Sequence, residues 1–336
     1  MSIWGKDMRG LTKKICLILC VLIVITSTLY TIAKAQNHTI HADWIKKFKD
    51  PENKKNIVEV VLENTGYAHL KDKVEQMDLK IHTGDLLGDT GKELILTLAL
   101  EPKKSIIAVY QKENKEYKYV GLIDTFFDIV GLQTISMDRK GKDIVIVREY
   151  ADQMLGAFEK GTFIRGYIWN KDTFQMVLSV IEDYQGYWNE MWDQPPKTHP
   201  KWLRITDKTD IQWENGPYPV LRTLEHQAYA KSKVTNSINI PRESEFEVIA
   251  SKDVPQVYYW SEKYQHFVLN EGKDIKTGET VAIIEDLSLN PFQLAGFELN
   301  QYRIKRQNGT IEIVPKSQIT DIKTPLRKPE GVYCLH

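Results

Sequence analysis

Apolar and polar positions divide this chain into three patterns. Residues 15–33 form 19 consecutive positions without a charge, preceded by Lys6, Arg9, Lys13 and Lys14 against the single Asp7. A helix of that length rises about 28 Å, close to the hydrocarbon thickness of a bilayer. Basic residues ahead of such a run hold the N-terminus in the cytoplasm. The expectation is a transmembrane or signal helix with the bulk of the chain outside the membrane. Ala33-Lys34-Ala35 offers a small-x-small cleavage site before Gln36, whereas the length of the run favours an uncleaved anchor.

Residues 36–78 read as a helical stalk or linker. Asp43 is placed to cap Trp44-Ile45-Lys46-Lys47-Phe48, Pro51 to end that run, and Ile57-Val58-Glu59-Val60-Val61-Leu62 to begin a second amphipathic stretch before Gly66. From Leu79 the pattern becomes short strands and polar turns. The run from Leu94 to Leu100 is almost continuously apolar, as in a strand buried on both faces.

Hairpins then recur: 106–110 with 117–122, 163–169 with 174–178, and 257–260 with 264–268. Each joins a strand ending in an aromatic to one that opens with an aromatic, and ring pairs near the turn would pin the register. In the last region Thr280-Val281-Ala282-Ile283-Ile284 is a strand. Gln307-Asn308-Gly309 separates two alternating runs, which predicts a hairpin turn with positive φ at both Asn308 and Gly309. Val314-Pro315-Lys316-Ser317-Gln318-Ile319 suits a single 3₁₀ turn.

The turns Asp85-Leu86-Leu87-Gly88-Asp89-Thr90-Gly91-Lys92-Glu93 and Asp138-Arg139-Lys140-Gly141-Lys142-Asp143 lead into apolar strands. In this the chain resembles the FG-GAP/VCBS repeat group over residues 79–269. That resemblance implies a propeller-like array used in surface recognition. Residues 270–325 resemble a bacterial SH3-like domain, which implies a small β-barrel that binds peptide or cell wall. The expected fold is mainly β: an N-terminal segment to residue 35, a stalk to 78, propeller-like repeated hairpins to 269, an SH3-like barrel to 325 and a tail over 326–336.

Composition narrows the chemistry. Lys and Arg total 45, as do Asp and Glu. No basic excess points to nucleic acid, so none is expected as a partner. The three cysteines are Cys16 and Cys20, inside the apolar run, and Cys334. That excludes a disulfide framework and a cysteine-rich zinc site.

Asp85, Asp89 and Glu93 hold positions 1, 5 and 9 of a loop, a spacing that suits Ca²⁺, although Leu87 supplies no oxygen at position 3. The competing reading is a tight glycine turn with solvated carboxylates. Gly91-Lys92 lacks the remainder of a phosphate loop. The densest aromatic group, Tyr184, Tyr187, Trp188, Trp192 and Trp202, can stack on a sugar or peptide, or pack a long inter-hairpin loop. No zinc-protease or nucleophile-elbow motif occurs.

These readings point to an exported, membrane-anchored, non-enzymatic envelope protein that binds a protein, peptide or cell-wall ligand. The alternative is an extracytoplasmic hydrolase acting on wall glycans through dispersed carboxylates. A carboxyl pair about 5–10 Å apart in a deep cleft would favour the hydrolase.

Overall fold

The computed structural model describes residues 38–322, except residue 90 and residues 138–139, 156–157 and 194–196. The predicted membrane segment, its cleavage site, all three cysteines and the tail lie outside the described residues. Among those described, no helix is long and apolar enough to cross a membrane. The chain is mainly β, with several curled sheets. It divides into two compact units, residues 38–76 with 110–120, and residues 77–109 with 121–322.

The first unit begins with β1 (Ile40–His41), α1 (Ala42–Lys46) and α2 (Pro51–Thr65), followed by 3₁₀ turns over Ala68–Gln76. The sequence places Asp43 as a cap, but His41 holds that position without a side-chain bond. Asp43 lies in the first turn, paired with Lys46 at 2.9 Å. Pro51 starts α2 instead of ending α1. Proline suits the first helical position because no backbone N–H is needed there, and Asp50 caps the helix by accepting from the N–H groups of Glu52 and Asn53. Ile57, Val58, Val61 and Leu62 form its buried stripe. Gly66, at φ 84°, ends it in the left-handed conformation. Asn64 then ties this helix to the strands, bonding both backbone groups of His38 and the Tyr110 hydroxyl.

Four strands follow: β2 (Asp78–Gly84), β3 (Glu93–Glu101), β4 (Lys104–Glu113) and β5 (Glu116–Phe126). The tip of the β4–β5 hairpin belongs to the first unit, where β1 pairs with β5 through Ile40 and Tyr117. In the second unit β2 pairs with β3, whose residues 94–98 are buried on both faces.

An eight-stranded antiparallel meander dominates the second unit. Its strands are β6 (Asp128–Met137), β7 (Lys142–Asp152), β8 (Glu159–Asn170), β9 (Thr173–Asn189), β10 (Lys201–Glu214), β11 (Val220–Thr235), β12 (Phe246–Ser261) and β13 (His266–Val268). Each pairs with its neighbour in sequence. Irregularities in pairing, among them those between Ile129 and Gly131, Gly166 and Tyr167, and Tyr229 and Ala230, add local twist and curl the sheet. Two of the hairpins read from the sequence, β8–β9 and β12–β13, belong to this one sheet.

The chain continues through β14 (Asn270–Asp274), β15 (Thr280–Asp286), β16 (Gln301–Lys305), β17 (Ile311–Pro315) and β18 (Ile319–Ile322). These form a separate five-stranded sheet in the order β17-β16-β15-β14-β18. Val281, Ile283, Ile304, Val314 and Ile319 fill its core. At the β16–β17 turn Gly309 has φ 90°, but Asn308 is not among the positive-φ residues. The turn closes through Gly309 N–H to Arg306 O and Arg306 N–H to Thr310 O, which makes it a longer hairpin loop than the expected two-residue turn.

Candidate functional site

The aromatic segment chosen from the sequence is a strand. β9 continues to Asn189, followed by a 3₁₀ turn over Glu190–Trp192. Because side chains alternate along a strand, Tyr184 and Trp188 go to one face, against Leu203, Ile205, Tyr229 and Phe292. Tyr187 and Trp202 go to the other, against Ala230 and Phe246. Four of the five residues therefore fall into two packed groups. The loop reading failed because aromatics occupy both faces of this strand, which removes the alternation that marks a strand.

Trp192 stands apart, with 49% of its surface exposed. Its ring meets Trp202 edge-on at 5.3 Å and Phe158 at 5.1 Å. Asn189 caps the turn by accepting from Met191 N–H, and Trp202 donates its indole N–H to Ser237 O. The neighbouring Glu190 is buried. Burial alone would raise its carboxyl pKa, but Lys197 and the Lys201 N–H outweigh that and hold it below the ordinary value. The exposed ring therefore sits on a capped turn, against two further rings.

The proposed Ca²⁺ loop uses its carboxylates internally. Glu93 is fully buried and accepts from Leu86 N–H at 2.6 Å and Leu87 N–H at 3.1 Å. Asp85 accepts from Gly88 N–H and Asp89 from Gly91 N–H. Burial raises the Glu93 pKa. The loop also packs on the second polar turn: Asp85 N–H donates to the Asp143 carboxylate, and Asp143 N–H to Asp85 O. Gly88 has φ 75°, and a Cβ there would come within 3.1 Å of Gly141 O. Among the described residues, no group of three or more His, Cys, Asp or Glu side chains is placed to hold a metal.

The sequence reading missed a polar belt on the inner face of the meander. Residues 203, 205, 207, 209, 211 and 213 of β10 share that face. Its ends are apolar: Leu203 and Ile205 at one, Ile211 and Trp213 at the other. Between them Asp207 lies opposite Gln227, and Thr209 opposite Glu225. The Gln227 amide donates to Asp207 at 3.0 Å and to Glu225 at 2.8 Å. That shared donor holds the two carboxylate oxygens within about 6 Å of each other. Gln256 on β12 donates to the second Glu225 oxygen.

Asp207 is 1% exposed. Burial pushes its pKa up to about 6, against the opposing pull of the Gln227 amide and Lys252. Burial, reinforced by Asp207, pushes Glu225 up to about 7. Lys252, opposite Gln227, directs its ammonium to Leu289 O at 3.3 Å. Four oxygens of the belt, Asp207 Oδ1, Gln227 Oε1, Thr209 Oγ1 and Thr223 Oγ1, have no hydrogen-bond partner among the described residues. Reading every second residue of 203–213 as one face is the signal that would have found the belt.

No protein-family model matches the chain, and no curated protein is similar enough to count as a match.

Proposed function

We propose that this is an exported envelope protein, anchored by residues 15–33, that binds a protein, peptide or cell-wall ligand without turning it over. Its bulk is extracytoplasmic, either held by that single span or released by cleavage after Ala35. The observation that carries the reading is Trp192, a half-exposed ring held against Trp202 and Phe158. A ring already ordered loses little entropy when a sugar or proline ring stacks on it.

The SH3-like reading of residues 270–325 is supported by the strand order β17-β16-β15-β14-β18 and by the 3₁₀ turn Lys316–Gln318 that precedes β18. The curled sheets are compatible with the FG-GAP/VCBS-like, propeller-like reading of residues 79–269.

The test is co-sedimentation of the full-length protein with purified peptidoglycan, and quenching of its tryptophan fluorescence by soluble wall fragments. Trp192→Ala is expected to weaken binding about tenfold or more, as for a central aromatic anchor. No binding by the wild type, or equal binding by the variant, overturns the reading.

One observation favours the hydrolase alternative: the spacing of Asp207 and Glu225 is near that of a retaining glycosidase pair. Against it, Asp207 is sealed from solvent and three of the four carboxylate oxygens already accept amide hydrogen bonds.

A further inference from the structure

We propose that the inner-face belt of the meander binds one hard cation, Ca²⁺, through Asp207, Thr209, Glu225 and Gln227. The site is separate from the Trp192 surface and from the Asp85–Glu93 loop, and does not rest on either. Its geometry follows from register. Asp207 faces Gln227 and Thr209 faces Glu225 across adjacent strands. Directly paired residues lie about 5 Å apart and successive same-face residues about 7 Å, so the four side chains outline a rectangle that one ion can bridge.

The unpartnered atoms supply the second argument. Asp207, Thr209, Thr223 and Gln227 are each more than nine-tenths buried, and each has an oxygen without a partner among the described residues. The open carboxylate and amide oxygens accept only. Leaving such atoms unmet in a packed interior is destabilising. Ca²⁺ takes carboxylate and amide-carbonyl oxygens together, in a flexible shell of about six to eight.

Charge points the same way. The belt holds two carboxyl groups, and Lys252, whose charge acts on both, gives its hydrogen bond to Leu289 O. One divalent ion balances the pair. The competing account is a proton shared by the carboxyl groups together with trapped water, which satisfies the same oxygens without an ion.

The experiment uses full-length protein in detergent, stripped with chelator. Thermal unfolding and titration calorimetry are followed against Ca²⁺, Mg²⁺ and Na⁺. Ca²⁺ is expected to raise Tm saturably, with one ion per chain, and Mg²⁺ and Na⁺ to raise it less. Glu225→Gln and Thr209→Val each weaken Ca²⁺ binding about tenfold or more, beyond the minimum loss of a supporting partner. Thr209→Val keeps the side-chain shape and removes only the hydroxyl, so it reports on the site even if the Glu225 variant folds poorly. The double variant Asp85→Asn, Asp89→Asn leaves binding unchanged. No saturable Ca²⁺ binding by the wild type overturns the proposal in favour of proton and water. Binding that survives both belt variants, or is lost in the loop variant, overturns it by placing the ion elsewhere.

Discussion

At the scale of single residues, burial decides what a titratable group does, and His266 is the clearest case. The sequence shows only a histidine with no motif around it. In the fold it is buried on β13, its Nδ1–H donating to Phe267 O at 2.8 Å. Burial depresses its pKa to about 4, with Lys305 adding to the effect and the Phe267 bond opposing it. The folded state therefore favours neutral imidazole. Stability from this group is fully present above the unfolded value near 6.5 and is lost as pH falls through the folded value near 4. The span corresponds to roughly 3 kcal/mol. Denaturant midpoints measured from pH 7 to pH 4 should fall for the wild type. Replacing His266 with Gln should flatten that part of the profile, and an unchanged slope in the variant would assign the loss to other groups. The same rule explains why Asp207 and Glu225 escape a reading by residue type: their character comes from the strand neighbours that bury them.

At the scale of elements, the sequence is legible where one face of a strand or helix is uniformly apolar. The stripe of α2 and the doubly buried β3 follow directly from their residues. Legibility fails where a buried face changes character partway. In β10 the inner face runs Leu203, Ile205, Asp207, Thr209, Ile211, Trp213, so the apolar period breaks at the belt and the strand looks like a charged loop. β9 fails for the opposite reason, with rings on both faces. Proximity of backbones is a further property that pattern does not reveal. Gly272 on β14 lies where β18 pairs, and a Cβ there would stand 2.3 Å from Ile319 Cγ2. Ile319 is branched at Cβ and packed in the core of that sheet, so it cannot swing aside. Gly272→Ala is expected to destabilise the protein by about 1–3 kcal/mol through overpacking. Chemical unfolding checks this, and restored stability in the double variant Gly272→Ala, Ile319→Leu, which removes the Cγ2 branch, would identify the clash as the cause.

At the scale of the whole chain, the functional reading depends on residues 15–33, which lie outside the described residues. Eleven of those 19 positions are Ile, Leu or Val. At roughly −0.3 to −0.6 kcal/mol each for insertion at a helix centre, they favour the bilayer by about 3–7 kcal/mol before the small cost of the Ser and Thr residues. On the proposed reading, the four basic residues ahead of the run set the direction of insertion, which would put the β-rich bulk on the far side. That far side is where a half-exposed Trp192 can meet wall polymer, and where free millimolar Ca²⁺ can fill a weak oxygen site. The prediction is that the protein sediments with membranes after carbonate washing, and that protease added outside the cell digests the bulk while sparing residues 1–14. Removing residues 1–35 should leave the β-rich part folded but in the cytosol. Mass spectrometry of the membrane-derived chain separates the two modes of export. An N-terminus ahead of residue 15 means the anchor is retained. A start at Gln36 means the segment is a cleaved signal, so retention at the surface would then require binding through the folded part alone. Wild-type protein recovered from the cytosol with its N-terminal run intact would remove the basis for an envelope ligand altogether, because Trp192 would then not face the compartment in which that ligand resides.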